Sequence, residues 1–121
     1  VFPDLHGLII KTCGLAQQLE AALASVEKSI QVAFIYGSMA RGDETGGSDI
    51  DLLIIGDLKL RDVVGTLSQL QQTLGREINP TVYPPDEYRT KLRKGQHFLT
   101  ALQKEPKIFL IGDEDELRRL G

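Results

Sequence analysis

The strongest constraint on the fold comes from residues 50–55, Ile-Asp-Leu-Leu-Ile-Ile, where apolar side chains occupy both alternating positions toward the end of the run. Successive side chains of a strand point to opposite faces of a sheet, so such a strand must be covered on both faces. Residues 30–36, Ile-Gln-Val-Ala-Phe-Ile-Tyr, predict a second buried strand because most of them are β-branched or aromatic. Both strands indicate a central sheet that is shielded from water.

Apolar residues at spacings of three and four mark the helices that would cover this sheet. This spacing predicts a helix over residues 4–28 and another from about residue 60 to residue 74, which Gly75 ends. Pro80 within a third apolar run indicates an edge strand or an irregular stretch. The alternation of helices and strands predicts a sheet covered by helices. The remaining elements are a strand at 77–83, helices at 86–94 and 97–104, a strand at 107–111 and a helix at 113–120. Asp113 is expected to cap this last helix, with Glu116 three residues on.

Length and composition exclude several classes of protein. With 121 residues the chain is one domain, and its start at Val1 suggests that it was cut from a longer polypeptide, such as one with an N-terminal DNA-binding domain, or trimmed of a tag. A net charge of −3 provides no positive field for the non-specific binding of nucleic acid. The single cysteine, Cys13, excludes an internal disulfide and suits a reducing cytoplasm. No apolar run has the roughly 20 residues of a membrane span.

The residues that point to chemistry lie between Gly37 and Asp51. Gly37-Ser38 follows a predicted strand, and exposed backbone N–H groups beside a glycine form an anion site to which the Ser38 hydroxyl adds a donor. Asp49 and Asp51 are two apart on a strand, so their side chains share a face with α-carbons roughly 6.5 to 7 Å apart. Two such carboxylates can share Mg²⁺, which usually keeps water and phosphate as further ligands. The pattern is what metal-assisted nucleotidyl transfer requires.

Alternative interpretations of these residues are weaker. Asp49 as a loop cap and Asp51 as a strand-end charge would be plausible for either residue alone, but Asp51 stands in an otherwise apolar strand, where an unpaired charge is costly. Gly37 and Gly42 have P-loop spacing, yet Asp43 follows where a lysine is needed.

The motif Gly37-Ser38, ten residues, then Asp49-x-Asp51, with Arg41-Gly42 and Ser48 between, resembles the nucleotidyltransferase superfamily typified by DNA polymerase β. It is most similar to the minimal nucleotidyltransferase branch, and the resemblance implies an α+β palm, which is a mixed sheet covered by helices. The resemblance implies that Gly37 and Ser38, with Arg41, hold the phosphates of an NTP, most readily ATP. It further implies that Asp49 and Asp51 bind Mg²⁺ and that a nucleoside monophosphate passes to a hydroxyl or phosphate acceptor. Ser48 is expected to orient the loop before Asp49.

The family usually carries a third carboxylate on the next strand, and here the sequence departs from it. Alignment places Asn79 at that position, and an amide is a poor metal ligand and cannot act as a base. Glu77, two residues earlier, shares the predicted face of Asn79 and is a candidate catalytic replacement. A solvated strand-end residue is an equally good interpretation of Glu77.

The acceptor and the partners are left open by the sequence. A basic stretch around residues 89–97 would fit an RNA acceptor, although a solvated helix face explains it better. A protein acceptor is the other possibility, and another domain, a second copy in a homodimer or a protein partner is expected to complete the site. The rival hypothesis is a non-catalytic nucleotide-sensing or interaction module. The resemblance associates such modules with winged-helix domains or, as antitoxins, with a helical toxin.

Overall fold

The structure of the chain, a computed structural model, describes residues 15–37, 40 and 49–120. In this part of the chain four strands form one mixed sheet in the order β3-β2-β1-β4. Strand β2 runs parallel to β3, and β1 is antiparallel to both β2 and β4. The strands are β1 (Ile30–Tyr36), β2 (Ile50–Gly56), β3 (Ile78–Tyr83) and β4 (Ile108–Ile111).

Helices connect and cover these strands. Residues 15–23 are helical (α1) and continue into a 3-10 segment, Ala24–Ser29, where the apolar spacing predicts α-helix; residues 4–14 of the predicted helix lie outside the described residues. No helix within the described ranges is both long and apolar enough to cross a membrane. The remaining helices are α2 (Arg61–Leu74), α3 (Pro85–Arg93), α4 (His97–Leu102) and α5 (Glu114–Leu120).

The predicted helix ends are confirmed. Gly75 terminates α2 with a positive φ of 69°, and its N–H bonds the carbonyl of Gln71. Asp113 caps α5, because its carboxylate accepts a hydrogen bond of 2.9 Å from the backbone N–H of Glu116. Both ends follow from local chemistry that the sequence displays.

The sheet separates two apolar clusters, as the two-sided strand β2 predicts. One cluster joins α1 and α2 to one face, and it includes Leu19, Leu23, Leu52, Ile54 and Leu67. The other joins α3, α4 and α5 to the opposite face, here called the α3–α5 face; it includes Phe34, Leu53, Ile55, Tyr88, Leu99, Leu102 and Leu117. The α+β architecture of a mixed sheet covered by helices is therefore confirmed.

Strand β3 lies at an edge of the sheet, which explains how it tolerates Pro80. Ile50 donates its N–H to the carbonyl of Glu77 at 2.8 Å, so the backbone groups of residue 77 face β2. Because this direction alternates along a strand, the backbone of Ile78 and of Pro80 faces outward. Ile78 accordingly donates its N–H to Oε1 of Gln71 at 2.8 Å, and Pro80, which has no N–H, costs the sheet no hydrogen bond.

The fully buried Tyr88 provides a test of the α3–α5 face. Gln103 Nε2 donates to the Tyr88 hydroxyl at 2.9 Å, and the same amide also bonds the carbonyl of Leu99. Tyr88→Phe should lower the free energy of unfolding by about 0.5 to 1.5 kcal/mol, because one hydrogen bond is lost while Gln103 keeps a partner. Urea denaturation at neutral pH measures this loss.

Burial also gives Tyr88 a pH-dependent contribution. Desolvation raises the pKa of Tyr88 above its usual value, an effect opposed by the hydrogen bond of Gln103 and reinforced by the charge of Glu114. The unfolded chain therefore loses this proton first, so the stabilisation is complete below about pH 10 and is lost as the pH rises through the folded-state pKa. Tyr88→Phe should make stability fall less steeply above about pH 10. An equally steep fall in the variant would contradict this assignment.

Candidate functional site

The two predicted metal ligands lie where central strand β2 begins. Asp49 immediately precedes β2, and Asp51 is the second residue of the strand. In the register of the sheet Asp51 stands between Tyr36 of β1 and Asn79 of β3. Directly opposite residues point to the same face, here the α3–α5 face. The structure therefore brings an aspartate pair, a tyrosine and an amide together at one end of the sheet.

Gly37, the first residue of the predicted anion site, lies against Asp51. Its φ is +79°, and a Cβ built on it would stand 2.5 Å from Oδ2 of Asp51. The carboxylate thus occupies the space that any other side chain would fill, and glycine also suits the left-handed backbone. The other predicted nucleotide-binding residues, Ser38, Arg41 and Ser48, lie outside the described residues.

Asn79 contacts the aspartate pair as a donor. Its Nδ2 donates a hydrogen bond of 3.3 Å to Oδ2 of Asp49, and its backbone pairs with Asp51 in the parallel register. This hydrogen bond orients the Asp49 carboxylate. An ionised carboxylate at residue 79 could not form it, because such a group has no hydrogen to donate. The position facing the two aspartates is thus held by a neutral amide.

Glu77, the other candidate for the third carboxylate, is exposed and directly precedes β3. It lines an open cleft of about 310 Å³ at the C-terminal end of α2. The other lining residues are Gln71, Gln72, Gly75 and Arg76. The catalytic role of Glu77 stays a prediction.

The carboxylates of Asp49 and Asp51 suit Mg²⁺ better than a metal that needs all of its ligands from the protein. Within the ranges that the structure describes, no group of three or more His, Cys, Asp or Glu is placed to hold a metal ion. Asp49 and Asp51 nevertheless offer hard carboxylate oxygens at one site, and Mg²⁺ is commonly bound by one or two carboxylates with water and substrate phosphate. The two aspartates are therefore suited to a metal that arrives with a phosphate ligand.

Tyr36 is a site residue whose strand position predicts only packing. Its hydroxyl hydrogen-bonds the side chain of Thr81 on β3, so the ring crosses over β2 from one neighbouring strand to the other. Burial raises the pKa of Tyr36; the Thr81 hydrogen bond opposes this shift, and the negative charge of Asp51 adds to it. The ring also packs against the apolar cluster of the α3–α5 face, so Tyr36 is in contact with this cluster and interacts with Asp51. The sequence signal for this role is the hydroxyl of Tyr36, a polar group at the end of an otherwise buried strand.

Two residues of the basic stretch, Arg89 and Lys91, are engaged in local ion pairs on the helix surface. Arg89 approaches Asp86 at 3.4 Å and also donates from Nε to the carbonyl of Leu120, and Lys91 lies 3.1 Å from Glu87. These contacts support the interpretation of a solvated helix face and give no support to an RNA-binding surface.

Comparisons with known proteins agree with the motif and with the fold. The model of the family "Polymerase beta, Nucleotidyltransferase" matches residues 17–83. The chain is 35% identical over 68 residues to the "Putative protein adenylyltransferase MJ0604" of Methanocaldococcus jannaschii, a match that covers 56% of this chain and 68% of the relative.

Two solved structures share the fold. A crystal structure of a mutant of the toxin–antitoxin MntA-HpeT superposes with a TM-score of 0.62 at 14% identity. A crystal structure of a toxin–antitoxin with AMP-PNP superposes with a TM-score of 0.57 at 11% identity. Each superposition covers 87% of this chain and 79% of the other chain.

The contact between Gly37 and Asp51 predicts the effect of a single methyl group. Gly37→Ala adds a side chain to a left-handed backbone, which should cost about 1 to 2 kcal/mol of stability. It should also displace the Asp51 carboxylate and abolish Mg²⁺-dependent nucleotide binding. Denaturation and calorimetry measure the two effects separately.

Gly95→Ala is the matched control for this substitution. Gly95 has a φ of +74°, but a Cβ there meets nothing within 4 Å. It should show the same loss of stability with unchanged nucleotide affinity. If both variants bound nucleotide equally well, the close approach of Gly37 to Asp51 would have no functional role.

Proposed function

Because the chain belongs to the polymerase beta nucleotidyltransferase family, we propose that it transfers AMP from ATP to a hydroxyl group of a protein acceptor, with Mg²⁺ bound at Asp49 and Asp51. The observation that carries this proposal is the packing of the Asp51 carboxylate against the positive-φ turn at Gly37. It puts a carboxylate pair beside a potential phosphate site. The relative named as a protein adenylyltransferase supports the choice of AMP and of a protein.

The proposed reaction exchanges one phosphorus–oxygen bond for another. The acceptor oxygen forms a bond to the α-phosphorus of ATP, and the bond from that phosphorus to the oxygen bridging it to the β-phosphorus breaks. Pyrophosphate leaves with the bonding electrons, and the acceptor proton passes to a base or to water. The products are a protein phosphodiester, pyrophosphate and a proton.

The chain's own residues bind and orient the reactants in this scheme. Gly37 and Ser38, with Arg41, hold the β- and γ-phosphates, and Ser48 orients the loop that leads to Asp49. Asp49 and Asp51 hold Mg²⁺, which when bound would neutralise the charge that develops on the phosphates. Asn79 fixes the direction of the Asp49 carboxylate through its hydrogen bond. Glu77 is the candidate for accepting the acceptor proton.

A second candidate function follows from the amide side chain of Asn79. Without a carboxylate at residue 79, the site holds the charge to anchor a metal but lacks an obvious base. Such a site would bind a nucleotide and signal its presence to a partner without consuming it. The likeness in fold to toxin–antitoxin structures is consistent with a protein partner for either function.

Labelling separates the two functions. The chain is incubated with Mg²⁺ and ATP labelled at the α-phosphate, in a cell lysate, and labelled proteins are identified by mass spectrometry. The enzyme hypothesis predicts covalent label on a protein together with release of pyrophosphate. Saturable binding of ATP with no label transferred would favour the sensor instead.

The aspartate pair should be required for binding but not for folding. Asp49→Ala and Asp51→Ala should each remove Mg²⁺-dependent affinity for an ATP analogue whose α and β phosphorus atoms are bridged by methylene. The fold should survive because two neighbouring carboxylates repel each other when no metal is present. Asp57→Ala, an exposed aspartate just beyond the other end of β2, is the control. Unchanged affinity in both site variants would refute the metal assignment.

The amide at residue 79 should limit turnover. Asn79→Asp should raise transfer or ATP hydrolysis by about 10²- to 10⁴-fold if a missing base is the limitation, and Asp is nearly isosteric with Asn. The rival hypothesis, that Glu77 already acts as the base, predicts that Glu77→Gln abolishes activity and that Asn79→Asp has little effect. Pyrophosphate release by the two variants decides between them. If neither substitution altered an active wild type, the base would lie elsewhere.

A further inference from the structure

Phe98 is an exposed aromatic side chain in a helix whose two leucines are buried. Its neighbours Leu99 and Leu102 on α4 are fully buried in the cluster of the α3–α5 face, whereas Phe98 stays 38% exposed. The ring rests edge-to-face on Tyr36, with centroids 5.6 Å apart and planes at 66°. The core thus fixes the position of Phe98 but leaves much of its surface open.

The position of Phe98 relates it directly to the aspartate site. Tyr36, on which it rests, is the cross-strand partner of Asp51, and its ring crosses over β2 beneath the aspartates. Tyr36 also immediately precedes Gly37. Phe98 is therefore one aromatic ring away from the carboxylates, and it is held by the strand that leads into the phosphate turn.

Asn79 lies on the opposite side of the aspartates from the backbone of Tyr36. It belongs to β3, whereas Tyr36 belongs to β1, and β2 runs between them. An acceptor that loses its proton to Glu77, or that meets residue 79, would approach from the β3 side. The β1 side, where the backbone of Tyr36 leads into Gly37, is then left to the nucleotide.

We propose that Phe98 is the stacking surface for the base of the bound nucleotide. This inference rests on the proposed function, since it requires a nucleotide at the aspartates. With the α-phosphate at Asp49 and Asp51 and the other phosphates at the Gly37 turn, the ribose has to carry the base away from the charges. A rigid, exposed ring held beside the site offers the base an apolar surface that water otherwise covers.

Stacking on Phe98 would bind bases without reading their hydrogen-bonding groups. Every base has a π face, so the contact favours large bases over small ones and separates adenine poorly from guanine. A choice of ATP over GTP would have to come from other residues. The contribution of Phe98 should accordingly appear with both purine nucleotides and be absent for a ligand without a base.

The experiment compares a nucleotide with its phosphates alone. Calorimetry measures the affinity of the wild type and of Phe98→Ala for the methylene-bridged ATP analogue, its GTP counterpart and inorganic tripolyphosphate, all with Mg²⁺. Stacking on aromatic side chains is worth about 1 to 3 kcal/mol per base, so both nucleotides should bind roughly 5- to 150-fold more weakly to the variant. Tripolyphosphate affinity should not change.

Further variants keep the test decisive. Phe98→Leu preserves an apolar contact with Tyr36 and should lose nucleotide affinity in the same way, so it replaces Phe98→Ala if that variant does not fold. Phe98→Trp should retain or increase the affinity. Val64→Ala removes an equally exposed apolar side chain, on α2, and should have no effect.

The following results would overturn the inference that the base stacks on Phe98. Unchanged nucleotide affinity in Phe98→Ala and Phe98→Leu would do so while leaving the proposed function intact, even if labelling of an acceptor declined. A parallel loss of tripolyphosphate affinity would make Phe98 a support for the phosphate site and not a base contact. A wild type that bound neither tripolyphosphate nor nucleotide would remove the proposed function as well.

Discussion

A carboxylate next to a two-sided apolar strand can exist only where water or a cation reaches it. Strand β2 is fully buried from Leu52 to Ile55, and an ionised group within that span would be strongly unfavourable. Asp49 and Asp51 escape this cost because they occupy the start of the strand, where Asp49 is exposed and Asp51 is only half-buried. The Tyr36 ring closes the apolar cluster beneath them. The place of the site is thus determined by where the apolar cover ends.

The neutral amide at residue 79 changes the electrostatic balance of this site. Two adjacent carboxylates repel each other, and a third would add to the repulsion whenever no cation is bound. Asn79 instead donates a hydrogen bond to Asp49 and adds no charge of its own to the pair. An amide also supplies neither a base nor a strong metal ligand, so the proposed transfer would have to proceed without a third carboxylate at this position.

Local patterns in the sequence predicted most of the fold. Hydrophobic periodicity identified the strands and helices that the structure describes, Gly75 and Asp113 marked helix ends, and Pro80 marked the edge strand. The 3-10 segment Ala24–Ser29 was not predicted, because its apolar spacing also suits an α-helix.

The candidate site was predictable only in part, since some of its contacts depend on the order of the strands. The spacing of Asp49 and Asp51 is visible in the sequence. The hydrogen bond between Tyr36 and Thr81 is not, because it joins two strands that become neighbours of β2 only in the folded sheet. The exposure of Phe98 likewise depends on how α4 settles against Tyr36.

The edge of β3 limits how this protein can meet another chain. Strand addition needs backbone N–H groups that point outward from the edge strand. At residues 78 and 80 of β3 no such group is available. The outward N–H of Ile78 is taken by Gln71 of the same chain, and Pro80 has none to offer. A partner or a second copy would find few backbone donors there with which to extend the sheet. Association on the β3 side is therefore directed to side chains and helix surfaces, where specificity can be altered without disturbing the sheet that holds the aspartates.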